Sequence, residues 1–329
     1  MTADSASKSK ISFNEGVAKV AALEREILKT VVGQDRVVRE LVIALLGAGH
    51  ILIEGVPGLG KTLLARTMAQ AAGSRFNRIQ FTPDLMPSDV TGHGMFDMHD
   101  NQFKIRKGPV FCHILLADEI NRAPAKTQSA LLEAMQEQQV TIEGKSLPLT
   151  PPFLVMATQN PIEQEGTYPL PQAQTDRFMF KIFITYPSEA DEQKIVRQVT
   201  RNTIGDALLT DQVAMVLASA EVLALQELLT TMTVDEQIVT YVVNIIRATR
   251  SWNGIDFGAG PRGAINLLRA ARGSGMVHGR GFVTPDDVRS VALPVLRHRV
   301  KLSADMEIEG YTADQVLTEL LNSVDAPRV

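Results

Sequence analysis

A glycine-rich segment that ends in a lysine and a threonine carries the clearest chemical signal in this chain of 329 residues. An apolar run at residues 51–53 precedes it and a helical pattern follows it, which is the setting that such a segment needs. Its glycines let backbone N–H groups turn toward phosphate oxygens, and the helix directs its positive end at the same point. We expect Lys61 to reach the β- and γ-phosphates of a nucleoside triphosphate and Thr62 to bind Mg²⁺; an ordinary glycine-rich turn is the alternative. The residues that fit the pattern G-x-x-x-x-G-K-[ST] are Gly55, Val56, Pro57, Gly58, Leu59, Gly60, Lys61 and Thr62.

Two acidic residues, Asp118 and Glu119, directly follow the apolar run at residues 114–117. A parallel strand beside the phosphate loop would deliver its carboxyl-terminal residues to the nucleotide. Asp118 suits Mg²⁺, a hard cation that prefers oxygen ligands. Glu119 is the natural group to orient and polarise an attacking water. A solvated acidic turn is the alternative, and the phosphate loop upstream counts against it.

Asn160 follows the apolar run at residues 153–157, and Arg177 precedes the run at residues 180–185. Asn160 could bridge the γ-phosphate and the lytic water, and a turn-forming Asn before Pro161 is the alternative. The planar guanidinium of Arg177 suits the charge on γ-phosphate oxygens, and it could complete a neighbour's site as an arginine finger. A local ion pair with Asp176 is the alternative for Arg177. Arg262 lies in the first turn of a predicted helix, where a cation opposes the helix dipole, so we expect either a phosphate contact or a surface arginine.

The elements that must position these residues are short apolar strands alternating with helices. This pattern indicates an α/β fold whose parallel sheet is covered on both faces. Two hairpins are predicted in addition, within residues 95–105 and 140–149. The five predicted strands are residues 51–53, 79–81, 114–117, 153–157 and 180–185.

Helical patterns dominate after Ser188, so we place a domain boundary there. The predicted organisation is a disordered tail at residues 1–10, an α/β nucleotide-binding core at 11–187 and a helical domain at 188–329. The polar first ten residues lack the apolar centre of a signal peptide.

The composition, with 45% hydrophobic and 21% charged residues, is that of a soluble globular protein. A net charge of −4 argues weakly against a dedicated nucleic-acid binder. Cys112 is the one cysteine, which excludes an intrachain disulfide framework or a cysteine zinc site. The most apolar window is too short and too interrupted to span a bilayer. We therefore expect a cytoplasmic protein without membrane insertion.

In this order, the phosphate loop, the two acids, Asn160, Arg177 and Arg262 resemble the motifs of AAA+ ATPases. The amino-acid sequences of several stretches resemble those of the MoxR family in particular. The resemblance extends over about residues 31–300. The stretches are QFTPDLMPSDVTG at 80–92, ADEINRAP at 117–124, TQSALLEAMQ at 127–136 and ATQNP at 157–161.

This resemblance implies an AAA+ P-loop αβα core with a parallel five-stranded sheet and β-hairpin inserts, plus a C-terminal all-helical lid domain. It implies that ATP binds at residues 55–62 and Leu63, with Val32 and Gly33 around the adenine. The hairpins correspond to the helix-2 insert and the pre-sensor-1 hairpin of the family.

The resemblance also assigns roles to the polar residues outside the loop. Asn160 becomes the sensor 1 residue, Arg177 the arginine finger and Arg262 the sensor 2 residue, acting on its own site or on the adjacent one. Arg122 is a second candidate for action across an interface, although it could instead be an ion-pair partner of the acids.

The function that the resemblance implies is Mg²⁺-dependent ATP hydrolysis by a hexameric ring that acts as a chaperone or remodeller. Its partner would be a protein with a von Willebrand factor A-type domain, whose maturation, complex assembly or metal insertion it assists. One alternative is a nucleic-acid motor, against which the acidic charge and the scarcity of aromatics among basic residues count. Another is a nucleotide-gated scaffold with slow turnover, against which the complete set of Glu119, Asn160 and Arg177 counts.

Overall fold

The computed structural model describes residues 11–99, 101–161, 167–202 and 212–327. The tail predicted at residues 1–10 lies outside the described residues. The helices are α1 (Phe13–Leu28), α2 (Asp35–Leu46), α3 (Lys61–Ala71), α4 (Pro87–Thr91), α5 (Ala125–Glu137), α6 (Gln172–Thr175), α7 (Glu189–Asn202), α8 (Ser219–Thr230), α9 (Glu236–Ala248), α10 (Pro261–Val277), α11 (Pro285–Leu296), α12 (Ala304–Ile308) and α13 (Ala313–Ser323), with a 3-10 turn at Ile120–Arg122.

Five parallel strands form the central sheet, as the apolar runs predicted. They lie in the spatial order β2-β5-β8-β1-β9, so that β2 and β9 are the edges. The strands are β1 (Ile51–Glu54), β2 (Phe76–Gln80), β5 (Ile114–Asp118), β8 (Leu154–Gln159) and β9 (Phe180–Phe183).

The inner strands are apolar up to the polar residues at their carboxyl ends, because the sheet is buried on both faces. Alternate side chains of β5 enter two different clusters: Ile114 and Leu116 pack on one face, and Leu115 and Ala117 on the other. Burying each isoleucine or leucine side chain among these stabilises the fold by about 1.5–3 kcal/mol. Helices α1, α2 and α3 supply the first cluster, and α5 supplies the second.

Both predicted hairpins are confirmed. One is formed by β3 (Gly92–Asp97) and β4 (Gln102–Lys107), and the other by β6 (Gln139–Ile142) and β7 (Lys145–Pro148). The second turns at Glu143 and Gly144, which have φ of 48° and 74°. Two successive positive φ values suit the right-handed twist of a tight hairpin.

Among the described residues after 188, the regular structure is helical apart from one antiparallel pair, β10 (Ile255–Phe257) with β11 (Lys301–Leu302), and one isolated bridge between Thr233 and Phe282. Its helices share the first apolar cluster with α1 and α2. Close approach requires a small residue at Gly273 of α10, where a Cβ would lie 2.9 Å from Cγ2 of Ile43. The boundary near Ser188 stays a prediction. Of the helices that the structure describes, none combines the length and apolarity needed to cross a bilayer.

A buried histidine, His50, joins the base of the sheet to α5. Its Nδ1 accepts a hydrogen bond from the Val155 backbone N–H at 3.0 Å, and its Nε2 lies 3.2 Å from the Met135 carbonyl oxygen. Because Nδ1 accepts and Nε2 donates, this geometry requires the neutral ring. Burial lowers the pKa of His50 to about 4.

We expect His50 to make the stability of the fold depend on pH. The unfolded chain binds the proton near its usual pKa of about 6.5, whereas the folded chain does so only near pH 4. The contribution is therefore complete above about pH 6.5 and declines as the pH falls, by about 2 kcal/mol between pH 7 and pH 5. Denaturant unfolding at pH 7 and pH 5 measures this decline. Between these pH values, the free energy of unfolding should fall less for His50→Gln than for wild type. The variant His99→Gln, at an exposed histidine, is the control, and identical slopes for all three proteins would contradict the role.

Candidate nucleotide site

The glycine-rich segment connects the carboxyl end of β1 to the amino end of α3. Gly58 and Gly60 have φ of 83° and 76°, a region in which a side chain is strained. A Cβ at either position would meet open space, so the requirement for glycine here is conformational. The loop thereby presents backbone N–H groups and a helix N-terminus to the same space, an arrangement that binds phosphate.

Lys61 lies at the first position of α3 and folds back over the loop, where its ammonium donates a hydrogen bond to the Gly55 carbonyl oxygen. Burial lowers the pKa of Lys61, and the carboxylates of Asp118, Glu119 and Glu54 oppose this shift. The structure therefore brings Lys61 and the two predicted acids together.

A threonine on the neighbouring strand orients both acids. The hydroxyl of Thr158 donates to Oδ1 of Asp118 at 2.6 Å and accepts from the backbone N–H of Glu119 at 2.8 Å. Glu119 has a φ of 55°, which is uncommon for a residue with a side chain. Such strain persists where the surroundings fix it, and it is concentrated at functional sites.

Three polar side chains cover the acids from the other side. Arg78 donates to Oδ2 of Asp118 from Nη2 at 2.7 Å and from Nε at 3.1 Å. Oε2 of Glu119 accepts from Nε2 of Gln80 at 2.7 Å and from Nη1 of Arg122 at 3.0 Å. Arg122 thus forms the ion pair with an acid that the sequence offered as the alternative to a role across an interface.

The donor set around the loop fits a magnesium ion. Thr62, in the first turn of α3, and Asp118 offer oxygen atoms only, which is the ligand chemistry that this hard cation prefers. The hydrogen bond from Thr158 also fixes the orientation of one Asp118 oxygen, as outer-shell partners of metal ligands commonly do.

An apolar cavity of about 580 Å³ adjoins the phosphate loop and is wide enough for a nucleobase. Of the two residues expected around adenine, Val32 lines this cavity, and Gly33 lies between the lining residues Val32 and Gln34. Gly33 has a φ of 74° and also approaches Asp191 at the start of α7; its role at the adenine stays a prediction. The cavity is also lined by Tyr186, Ile195 and Val199, together with the predicted Pro57, Gly58, Leu59, Gly60 and Leu63.

Asn160 follows β8 directly and is buried, with 5% of its surface exposed. The preceding residue, Gln159, pairs in register with Glu54 at the end of β1. Parallel pairing therefore places Asn160 at the same edge of the sheet as the phosphate loop and the acids.

Arg177 lies at the opposite end of the sheet. It precedes the amino end of β9, a strand that runs parallel to β1 for about 13 Å at about 3.3 Å per residue. Its Nη1 donates to the Leu132 carbonyl oxygen of α5 at 2.9 Å, and it lines a separate cavity of about 220 Å³ with Glu133 and Glu137. Within the described part of the chain, no hydrogen bond joins Arg177 to its own phosphate loop.

Arg262 lies beside Asp176, the residue that precedes Arg177. Its Nη1 is 3.4 Å from Oδ2 of Asp176, whose other oxygen, Oδ1, accepts from Nε of Arg299 at 2.8 Å. The Arg299 side chain is 1% exposed and also donates to the backbone carbonyls of Asp176, Phe178 and Met179. Burial lowers the pKa of Arg299 to about 10, which still leaves it protonated at neutral pH.

Sequence reasoning did not identify Thr158, Arg78, Gln80 or Arg299. A signal was present on β2, where Arg78 and Gln80 alternate with buried residues and so share one face. Thr158 is a polar residue near the exit of an apolar strand beside the acids, which is a weaker signal. Nothing in the sequence pairs Arg299 with Asp176.

Comparisons with known proteins agree with this geometry. A family model described as "ATPase family associated with various cellular activities (AAA)" matches residues 50–180, and one described as "AAA lid domain" matches residues 247–320. Chaperone MoxR1 of Mycobacterium tuberculosis is 44% identical over 96% of this chain and 85% of its own. Protein MoxR of Methylorubrum extorquens is 32% identical over 92% of this chain and 93% of its own. A crystal structure from Cytophaga hutchinsonii matches with a TM-score of 0.88 at 42% identity, covering 95% of this chain and 96% of that chain.

A phosphate loop on a five-stranded parallel sheet, followed by a helical lid, defines a P-loop nucleotide-binding protein. The chain belongs to the MoxR family of AAA ATPases. The fold class and the ATPase class that the sequence predicted are thereby confirmed.

We expect Thr158→Val to impair the site while keeping the shape of the side chain. The variant loses the hydrogen bond to Asp118 and leaves the Glu119 N–H unpaired, at a cost of about 1–3 kcal/mol in unfolding free energy. ATP hydrolysis should fall by about tenfold to hundredfold, as when an outer partner of a metal ligand is removed. Thr158→Ser keeps the hydroxyl and should retain activity; equal losses in both variants would count against the hydrogen bonds.

Proposed function

We propose that this protein is a Mg²⁺-dependent ATP hydrolase that works as a ring. The positions of two arginines support the ring most directly. The supporting observation is the separation of two groups of residues. Lys61 and the acids lie at the carboxyl ends of the strands, whereas Arg177 and Arg262 lie together near Asp176 at the other end. In the described residues Arg177 bonds to the Leu132 carbonyl and Arg262 to Asp176, with no hydrogen bond from either to the phosphate loop, and we assign both to the site of a neighbouring copy.

The proposed chemistry follows from the residues at the loop. Bound Mg²⁺ would supply a Lewis acid that neutralises charge on the phosphate oxygens, held by Thr62 and Asp118. Glu119 orients the attacking water and accepts its proton, and Asn160 contacts the γ-phosphate and that water. In the present arrangement Oε2 of Glu119 accepts from Gln80 and Arg122, and these contacts fix the orientation of the carboxylate.

The cellular role that we propose is that of a chaperone or remodeller of partner proteins in the cytoplasm. Its support is family membership, together with the printed name of the Mycobacterium tuberculosis relative, a chaperone. A hexameric ring and a partner with a von Willebrand factor A-type domain are parts of the same proposal and rest on the family resemblance. The residues at 11–187 and 188–329 form the core and lid of each subunit in this proposal.

Two single variants should separate binding from hydrolysis. Lys61→Ala removes a charge-assisted contact with phosphate, so the affinity for ATP should fall by about tenfold to hundredfold. Glu119→Gln keeps the shape of the site without the base, so it should bind ATP normally but hydrolyse it at least about a hundredfold more slowly. Isothermal titration and phosphate release measure the two effects, with the exposed Lys145→Ala as the control. Wild-type affinity in the first variant or wild-type turnover in the second would remove that residue from its role.

Mixing two inactive variants tests whether sites are shared. In a mixture of Glu119→Gln and Arg177→Ala, some interfaces combine an intact Glu119 from one subunit with an intact Arg177 from the next. We expect each variant alone to be inactive and the mixture to recover part of the wild-type rate, because Arg177 acts across the interface. Specific activity should also rise with protein concentration.

The control for this mixture is Arg247→Ala, which removes an exposed arginine outside both groups and should leave hydrolysis unchanged. Failure of the mixture to recover activity, together with a specific activity that does not depend on concentration, would contradict shared sites. A rate that nucleic acid strongly stimulates would instead favour a nucleic-acid motor.

A further inference from the structure

We propose that a second cavity, beside the edge strand β2, binds the carboxylate side chains of an acidic polypeptide segment. The cavity has a volume of about 600 Å³ and lies between β2 and the base of the β3–β4 hairpin. It is distinct from the apolar cavity at the phosphate loop, with which it shares no lining residue. The side chains that determine its charge are Arg78, His93, Arg106 and Lys107, opposed by Asp89.

Close backbone contacts hold the hairpin base in place. Gly92 has a φ of 98°, and a Cβ there would lie 2.2 Å from the Arg106 carbonyl oxygen. A Cβ at Gly108 would lie 2.4 Å from the Val90 carbonyl oxygen. On β2, Nδ2 of Asn77 donates to the Pro109 carbonyl oxygen at 2.7 Å. The walls of the cavity are therefore positioned by backbone packing that larger residues would disrupt.

The charges of the lining favour an anion. Arg78 already pairs with Asp118, so Arg106 and Lys107 supply the excess of positive charge, and Asp89 is the one carboxylate among the lining residues. Oδ2 of Asp89 already accepts a hydrogen bond from the Met86 backbone N–H at 2.8 Å. A local excess of positive charge on a chain with a net charge of −4 raises the local concentration of anionic ligands.

The tip of the same hairpin favours a polypeptide as the source of the anion. Phe96 and Phe103 pack edge to face with their ring centroids 5.2 Å apart, and Phe103 is 79% exposed. Met98, beside them in the turn, is 87% exposed. Apolar surface of this kind typically marks a contact with another protein, so one segment could cover the hairpin tip while its carboxylates enter the cavity.

Arg78 connects the cavity to the nucleotide site. Arg78 is one of the residues that line the cavity, and its guanidinium holds Oδ2 of Asp118. A carboxylate in the cavity would compete with Asp118 for Arg78 and would release an oxygen of Asp118 for the metal. This second step rests on the proposed role of Asp118 as a magnesium ligand, whereas binding at the cavity does not.

Binding is tested with fluorescein-labelled hexaglutamate and full-length protein, by fluorescence anisotropy without nucleotide or Mg²⁺. The double variant Arg106→Ala/Lys107→Ala should raise the dissociation constant by about tenfold or more, because two charge-assisted contacts are lost. The matched control, Lys104→Ala/Lys145→Ala, also removes two cations: Lys104 from the same hairpin, where it pairs with Asp97, and Lys145 from the other hairpin. Its affinity should stay close to that of wild type.

Two results would overturn the proposed site. One is equal weakening of hexaglutamate binding in both double variants, which would indicate a general charge effect. The other is preferential binding of a single-stranded oligothymidylate that depends on Arg106 and Lys107, which would make the site one for nucleic acid.

The link to the nucleotide site is tested by the free Mg²⁺ concentration that gives half-maximal ATP hydrolysis. Saturating hexaglutamate should lower this concentration by about fivefold or more. Arg78→Gln should show the lower requirement without the peptide. A peptide that binds but leaves the Mg²⁺ requirement unchanged would overturn the competition for Arg78. Absence of hydrolysis by wild type would contradict the proposed function while leaving the binding result intact.

Discussion

One hydroxyl, that of Thr158, holds the two acids of the nucleotide site in their relative positions. It donates to the carboxylate of Asp118 and accepts from the backbone of Glu119, which lies in a strained conformation. The hydroxyl reaches both only because β8 lies next to β5 and parallel to it. The strand order that places β8 between β5 and β1 thus also brings the acids to the side of Lys61.

A second constraint ties the lid to the segment that carries Arg177. Arg299 is buried and donates both to the carboxylate of Asp176 and to the backbone on either side of Arg177. Arg262 approaches the other oxygen of the same carboxylate. A movement of the lid would therefore shift Arg177. The position of Arg177 thus depends on a contact between Asp176 and Arg299, which are 123 positions apart in the sequence.

Most of the fold and half of the site could be predicted because they depend on local patterns. Apolar runs such as residues 114–117 identify strands buried on both faces, and the turn at Glu143 and Gly144 identifies a hairpin. Gly33, expected beside the adenine, lies between the cavity-lining residues Val32 and Gln34, and its backbone also approaches the side chain of Asp191 on α7. That contact joins residues that are far apart in the sequence, and no periodicity or motif encodes it.

The sequence by itself determined the phosphate loop, the acids and the strands, because backbone conformation and side-chain chemistry at these positions are set by neighbouring residues. The tertiary structure alone decided which groups surround them. Arg78 and Gln80 meet Asp118 and Glu119 because β2 pairs with β5. Arg262 lies beside Asp176, which precedes β9, because α10 packs against α2, α9 and α11. Contacts of this kind follow from strand order and helix packing, which sum many weak interactions over the whole chain.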